Sequence, residues 1–160
     1  MNLFEQVRGQ LSPQLMEVLE TGTSSRWWPP TAPEAAATFV HERHGEQMVE
    51  KLGHGIMMPS VAAAFKTAVM SLKSDPAAFM HKFNEFSAAS VRGVKVVFDQ
   101  LESVSGDLVI TYPRTPPKSN GALWKGALVR TFESTGIPKL RVESMRFAPF
   151  SSFRFDVRWD

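Results

Sequence analysis

The sequence predicts a single α+β domain over residues 1–160, in which a helical N-terminal half packs on a four-stranded antiparallel sheet. Three observations support this fold class. Apolar residues recur every three or four positions in the first half, and the period changes to two near Gly93. In the second half, one helical segment separates two pairs of alternating strands, in the order β-β-α-β-β. The 160 residues have the size of one domain, and 43% of them are hydrophobic, close to the globular proportion.

The first half is predicted to form helices over residues 2–20, 31–52 and 59–73, and a fourth that begins at residue 76. Thr31 and Glu34 have the spacing of a capping box, which starts the second helix. The glycines of the segment Gly53–Gly55 are expected to interrupt that helix. Ser74 or Asp75 is the expected N-cap of the fourth helix, because a short polar side chain can bind the free N–H groups of a first turn.

Trp27 and Trp28 stand on the connector between the first two helices. The two prolines that follow them exclude a helix there, and two indole rings are too much apolar area to leave in water. They pack either on the core or on a subunit partner. Because rigid aromatic residues are common at interfaces, they are the candidate dimer interface, and the protein is predicted to be a homo-oligomer.

The four strands are predicted from their alternation. Ser105-Gly106-Asp107 is the expected hairpin turn between the first two, and a helix over about residues 122–134 is expected to end at Gly136. The residues that share a face are Val94, Val96 and Phe98 in the first strand, Leu108, Ile110 and Tyr112 in the second, Leu140, Val142, Ser144 and Arg146 in the third, and Phe153, Phe155, Val157 and Trp159 in the fourth.

Composition and motifs exclude several classes of function. The net charge is +2 without a basic run, so nucleic-acid binding is not predicted. No phosphate-binding loop or nucleophile motif occurs, and the protein is therefore not expected to be an enzyme. No apolar stretch or signal peptide is present, and no integral membrane segment is predicted. The absence of cysteine excludes a disulfide framework and fits a cytoplasmic location.

Two further features have alternative interpretations. His41 and His44 lie three residues apart on a helix, where zinc could bind with a third ligand, but their neighbours are typical of a solvated face, and no metal is predicted. The 12 phenylalanines and 8 methionines either form an ordinary core or surround a cavity for a small apolar ligand, because methionine adapts to irregular shapes.

The loop from Pro113 to Asn120 is the main candidate binding region. Its three prolines hold the backbone extended, and Arg114 and Lys118 supply positive charge beside Tyr112, the only tyrosine. The loop leads into a helix N-terminus, where free N–H groups favour an anion. It is either a site for an anionic group or a proline-stiffened connector with solvated charges.

Three segments carry a resemblance to a known superfamily: the helix containing Phe79 and Phe86, the run from Leu123 to Leu128, which contains Trp124, and the terminal strand Phe153–Trp159. Over residues 35–159 the chain resembles haem nitric-oxide-binding domains, four-vinyl-reductase domains and TRAPP vesicle-transport subunits, and most closely a related bacterial family abundant in myxobacteria. The resemblance implies a non-catalytic regulatory or scaffolding module that binds a protein partner or a small apolar or anionic ligand. Tyr112, Arg114, Lys118 and Trp124 are the candidate contact residues.

The haem-binding branch of this superfamily suggests an alternative, a haem-based gas sensor. There, a helical histidine ligates the iron and precedes a Tyr-x-Ser-x-Arg motif that holds the propionates. His81 precedes Tyr112 by a similar interval, but Tyr112 is followed by Pro113 and Arg114, which departs from the motif. No cofactor is therefore predicted, and His81 is kept as the candidate ligand of the haem alternative. A small-molecule enzyme without a recognisable motif is the other alternative.

Overall fold

A computed structural model of the chain describes Pro13 and residues 31–56, 75–90, 93–137, 139–149 and 151–159. The predicted helices over 2–20 and 59–73, and the candidate interface residues Trp27 and Trp28, lie outside these residues. The described elements are α1 (Thr31–His44), α2 (Glu46–Ile56), α3 (Pro76–Ser90), β1 (Lys95–Glu102), β2 (Ser105–Thr111), α4 (Ser119–Thr135), β3 (Arg141–Ala148) and β4 (Ser152–Arg158). The prediction of an α+β fold with a four-stranded antiparallel sheet is confirmed.

The sheet has the strand order β1-β2-β4-β3, and every neighbouring pair is antiparallel. The two central strands are therefore β2 and β4, and α4 connects β2 to the opposite edge of the sheet. Leu108 lies opposite Phe155, and Ile110 opposite Phe153, on one face of these strands. All four side chains are fully buried and form the centre of the core together with residues of α3 and α4.

The predicted cap of α3 and the predicted end of α4 are confirmed. Asp75 accepts a hydrogen bond from the Ala78 N–H at 2.9 Å, and Pro76 occupies the first helical position. Gly136 follows α4 with a φ of 67°, the left-handed conformation in which glycine ends helices. The helix itself begins at Ser119, three residues before the predicted start.

The prediction that Ser105, Gly106 and Asp107 form the hairpin turn is wrong. All three are buried residues of β2, and the turn lies between the end of β1 at Glu102 and Ser105. The glycine serves close packing, because a Cβ at position 106 would lie 2.4 Å from the ring of Phe98. The sequence Ser105-Gly106-Asp107 is typical of a turn, and here it forms the buried start of a strand.

The predicted face of β3 is also corrected. The pairing of β3 with β4 shifts between Val142 and Ser144, which is the position of a β-bulge. Val142 pairs with Val157, and Met145 pairs with Phe155, so both lie on the core side, although they are three residues apart. Ser144 and Arg146 consequently lie on the opposite face from Val142 and do not share its side as the alternation predicted.

The predicted break at Gly53 lies instead at Gly45, which ends α1 with a φ of 76°. The helix α2 continues through Gly53 and crosses α4 at very short distance. A Cβ on Gly53 would lie 2.0 Å from the Leu123 carbonyl oxygen, and one on Gly126 would lie 1.9 Å from the Glu50 carbonyl oxygen. These glycines permit backbone contact between the two helices, and this contact positions α1 and α2 against the rest of the fold. None of the described helices has the length and apolar character needed to cross a membrane.

Candidate functional site

An open groove of about 570 Å³ lies between α1 and the loop from Pro113 to Asn120. Its volume falls within the range of small-ligand sites, roughly 300–1,000 Å³. From α1 the lining residues are Glu34, Ala35, Thr38, Phe39 and Glu42. From the loop they are Arg114 and Pro117. The groove therefore combines an apolar surface with charged groups contributed by both walls.

The two walls are joined by an ion pair between Glu34 and Arg114. Glu34 is only 6% exposed, and its Oε2 accepts a hydrogen bond from Nη2 of Arg114, whose side chain is half exposed. Oε1 of Glu34 is buried and has no hydrogen-bond partner. Since an ionised carboxylate is costly to bury, this charge depends on Arg114. The sequence predicts a capping box in which Glu34 binds the start of its own helix. In the structure its carboxylate instead binds Arg114, on a loop 80 residues away.

The loop wall is braced by the tyrosine hydroxyl. Trp124 Nε1 donates to the Tyr112 hydroxyl oxygen at 2.6 Å, and Asn120 Nδ2 donates to it at 3.3 Å. Burial raises the pKa of Tyr112, so the phenol stays neutral. The Tyr112 N–H donates to the Ser151 carbonyl oxygen at 3.0 Å, which fixes the start of the loop to the β3–β4 turn. Tyr112 and Trp124, two of the predicted contact residues, therefore lie together, but they hold the loop in place and do not line the groove.

The cations of the loop differ in their surroundings. Arg114 lines the groove, and its Nε and Nη1 have no acceptor among the described residues. Lys118 is exposed, follows Pro117 of the groove wall, and its Nζ has no partner in the described part of the chain. The helix N–H groups expected to bind an anion are occupied, because Asn120 N donates to Pro117 O and Gly121 N donates to Lys118 O. Positive side chains, rather than these two N–H groups, are what the loop offers to an anion.

A third cation, Arg43 of α1, contacts a residue of the groove wall. The guanidinium of Arg43 covers the ring of Phe39, with its central carbon 3.9 Å from the ring centroid. Phe39 lines the groove, whereas Arg43 is not one of the lining residues and lies beside this wall. Glu34, Phe39 and Arg43 are not among the site residues predicted from the sequence. The spacing of Phe39 and Arg43, four residues apart on a helix, is the one sequence signal for their contact.

The predicted histidine sites are not part of this groove. His81 is exposed on α3, and its ring meets the edge of Phe98 at a centroid distance of 5.5 Å. His41 and His44 are exposed near the end of α1. Within the described ranges, no group of three or more histidine, aspartate or glutamate side chains is placed to hold a metal ion.

A second buried carboxylate lies on the sheet face opposite the core. Asp107 of β2 is 4% exposed and pairs across the strands with Asp156 of β4. Its Oδ2 lies 3.0 Å from Arg154 Nη1, and its Oδ1 lies 3.9 Å from Arg146 Nη2. Burial and the hydrogen bond with Asp156 raise the pKa of Asp107, while a hydrogen bond from Ser144 lowers that of Asp156. This cluster compensates its charge from within the sheet and borders no described groove.

In comparisons with known proteins, no protein-family model, curated protein or solved structure matches the chain. The groove and the charges around it are therefore the basis for a functional conclusion.

Proposed function

We propose that this protein is a non-catalytic binding module of regulatory or scaffolding type, and that the groove between α1 and the Pro113–Asn120 loop receives an extended segment of a partner protein. The observation that carries the proposal is the half-exposed guanidinium of Arg114, oriented by the buried carboxylate of Glu34 at the junction of the two walls. A cation held in this way, with unused donors, is a preorganised recognition element.

The shape and lining of the groove support a protein segment over an enclosed small molecule. The groove is open to solvent along most of its surface, as an extended chain requires. Ala35, Phe39 and Pro117 supply apolar contact area.

The lining groups also favour binding over catalysis. The hydroxyl that lines the groove, that of Thr38, lies 3.2 Å from Ser119 Oγ, and no histidine is among the lining residues.

The rigidity of the walls supports the same proposal. One wall is a helix, and the other is stiffened by Pro113, Pro116 and Pro117 and braced through the Tyr112 hydroxyl. Preformed walls reduce the ordering cost of binding.

We further propose that the module is homodimeric through Trp27 and Trp28, and that it acts in the cytoplasm, which the absence of cysteine supports.

Filling the groove tests this function. Peptides selected from a phage-displayed library on the purified protein should lose affinity at least about tenfold in Ala35→Trp, measured by isothermal titration calorimetry. Ala78→Trp is the matched control, because Ala78 is a partly buried alanine of α3 that does not line the groove. Failure to select any peptide, or equal binding to both variants, would reject the proposal.

A further inference from the structure

We infer that the partner segment bound in this groove is acidic, with a carboxylate side chain bound by the donors of Arg114 for which the described residues offer no acceptor, and with the positive charges of Lys118 and Arg43 beside the groove. This inference rests on the proposed function and names the chemistry of its partner. Three steps lead to it: the donors that Arg114 leaves unused, the balance of charge around the groove, and the apolar surface beside the cation.

The first step is the geometry of the guanidinium. Glu34 accepts from Nη2 of Arg114, which leaves Nε and Nη1 without acceptors among the described residues. Because Nε and Nη1 direct their N–H groups to different edges of the guanidinium, the planar fork that matches the two oxygens of a carboxylate consists of one of them together with the second N–H of Nη2. Because Glu34 holds the fork from the buried side, the side chain loses little freedom when an anion binds from the groove. An anionic ligand would complete the hydrogen bonding of Arg114.

The second step is the charge around the groove. Of the charged residues that line the groove, Glu34 and Arg114 form an ion pair and offset each other, so the charge of Glu42 remains. Lys118, next in sequence to Pro117 of the wall, and Arg43, which covers the ring of Phe39 of the wall, add two positive charges beside the groove. The five groups together therefore have an excess of one positive charge. Such an excess attracts acidic segments and repels basic ones, and salt screens it because the cations are exposed.

The third step is the apolar surface next to the cation. Pro117 and Phe39 line the groove on opposite walls, and both lie in the same cavity as Arg114. A free inorganic anion would leave this surface unused. A peptide that places an apolar side chain beside its carboxylate can contact the guanidinium and the apolar walls together. An acidic, partly apolar segment therefore fits the groove better than phosphate or another small anion.

The experiment compares three peptides of about ten residues that share their apolar positions and carry glutamate, glutamine or lysine at the others. Fluorescence anisotropy with the full chain should give the glutamate peptide an affinity at least about tenfold above that of the glutamine peptide, and the lysine peptide the lowest affinity. Raising the salt concentration from about 0.05 to 0.5 M should reduce this difference. Equal binding of the glutamate and glutamine peptides, or preference for lysine, would overturn the inference and leave the proposed function standing. No binding of any of the three would count against both.

Variants separate recognition by Arg114 from its structural role. Arg114→Ala leaves the buried carboxylate of Glu34 unpaired and can destabilise the groove, so Arg114→Lys and the double variant Glu34→Gln/Arg114→Gln are used. Both should weaken the glutamate peptide at least about fivefold and leave the glutamine peptide within twofold, because the fork is lost while no buried charge is left unpaired. Unchanged affinity for the glutamate peptide in both variants would remove Arg114 from the site.

The exposed lysine provides a matched pair. Lys118→Gln should weaken the glutamate peptide about two- to fivefold, since one screened charge is removed. Lys95→Gln is the control, because Lys95 is likewise exposed but lies on β1 and does not border the groove. Equal losses in the two variants would mean that the peptide responds to overall charge and would contradict local recognition.

Discussion

The groove and the outer face of the sheet each contain a buried carboxylate with one oxygen that lacks a hydrogen bond, and they compensate its charge in different ways. Asp107 has two arginines and the carboxyl of Asp156 around it, and burial raises its pKa. Glu34 has Arg114 as its ion-pair partner. The charge of Asp107 is offset by two arginines within the sheet. The charge of Glu34 is offset by Arg114, which is half exposed and keeps hydrogen-bond donors that a ligand could use. A buried acid therefore indicates a candidate binding site only where a groove lies beside it.

The largest effect is expected from a substitution that disrupts the groove but leaves the sheet intact. Gly126→Ala places a Cβ 1.9 Å from the Glu50 carbonyl oxygen, so α2 must move away from α4, and α1 must move with it. We expect a loss of about 3 kcal/mol in the free energy of unfolding, measured in urea, together with loss of peptide binding. Gly55→Ala is the control, because a Cβ there meets nothing within 4 Å. Equal stability of the two variants would contradict the close helix crossing.

The second prediction compares the arginines of the two clusters. Arg114→Ala leaves Glu34 buried and unpaired, and we expect a loss of about 2–3 kcal/mol, below the full penalty because water can replace a half-exposed guanidinium. Arg154→Ala should cost about 1 kcal/mol, since Asp107 keeps Arg146 and Asp156. Adding Glu34→Gln to Arg114→Ala should restore most of the lost stability. A larger loss in Arg154→Ala than in Arg114→Ala would reverse the comparison.

The third prediction concerns the brace behind the groove. Tyr112→Phe removes the oxygen to which Trp124 and Asn120 donate, and we expect a loss of about 1–2 kcal/mol, because two donors lose their acceptor. The fluorescence of Trp124 should change, and affinity for the glutamate peptide should fall less than in Arg114→Lys. A greater loss of affinity than of stability would place Tyr112 in contact with the partner.

The smallest expected effect is a pH dependence of stability that arises from Asp107 and Asp156 of the sheet cluster. The pKa of Asp107 is raised above its ordinary value of 3.8, so the native state holds a proton that the unfolded state has lost, and stability decreases as pH rises from about 4 through the raised pKa. The pKa of Asp156 is lowered, so its contribution increases with pH up to about 4. Together the pair favours stability near pH 4.

Asp107→Asn isolates this dependence. The variant cannot release a proton, so the decrease in stability above pH 4 should become shallower by at most about 1.4 kcal/mol per pH unit, the slope for one proton. Urea unfolding between pH 3 and 7 measures it, with Glu46→Gln, an exposed acid at the start of α2 and outside the sheet, as the control. Identical pH profiles for wild type and Asp107→Asn would contradict the raised pKa of Asp107 in the native state.

Local patterns predicted much of the fold. The alternation from Phe153 to Trp159 determines which face of β4 is buried, because successive side chains of a strand point to opposite sides. Asp75 before Pro76 determines the start of α3, because the cap acts within one turn. Patterns failed where glycine permits close packing, because Gly53 lies inside a helix against Leu123, 70 residues away, and Gly106 lies inside a strand against the ring of Phe98 on the neighbouring strand. A bulge near Glu143 likewise changed the face of β3 without a sequence signal.

By itself, the sequence predicted the α+β fold class, the antiparallel four-stranded sheet and the order β-β-α-β-β, and it singled out two loop cations, because these depend on patterns of residues a few positions apart. Only the tertiary structure decided which carboxylate meets Arg114, since Glu34 is 80 residues away and the crossing of α2 on α4 brings α1 to the loop. The same packing buried Asp107 beside Asp156. Burial, and with it the strength of a charge pair, is a property of the assembled fold, and the candidate site became visible only there.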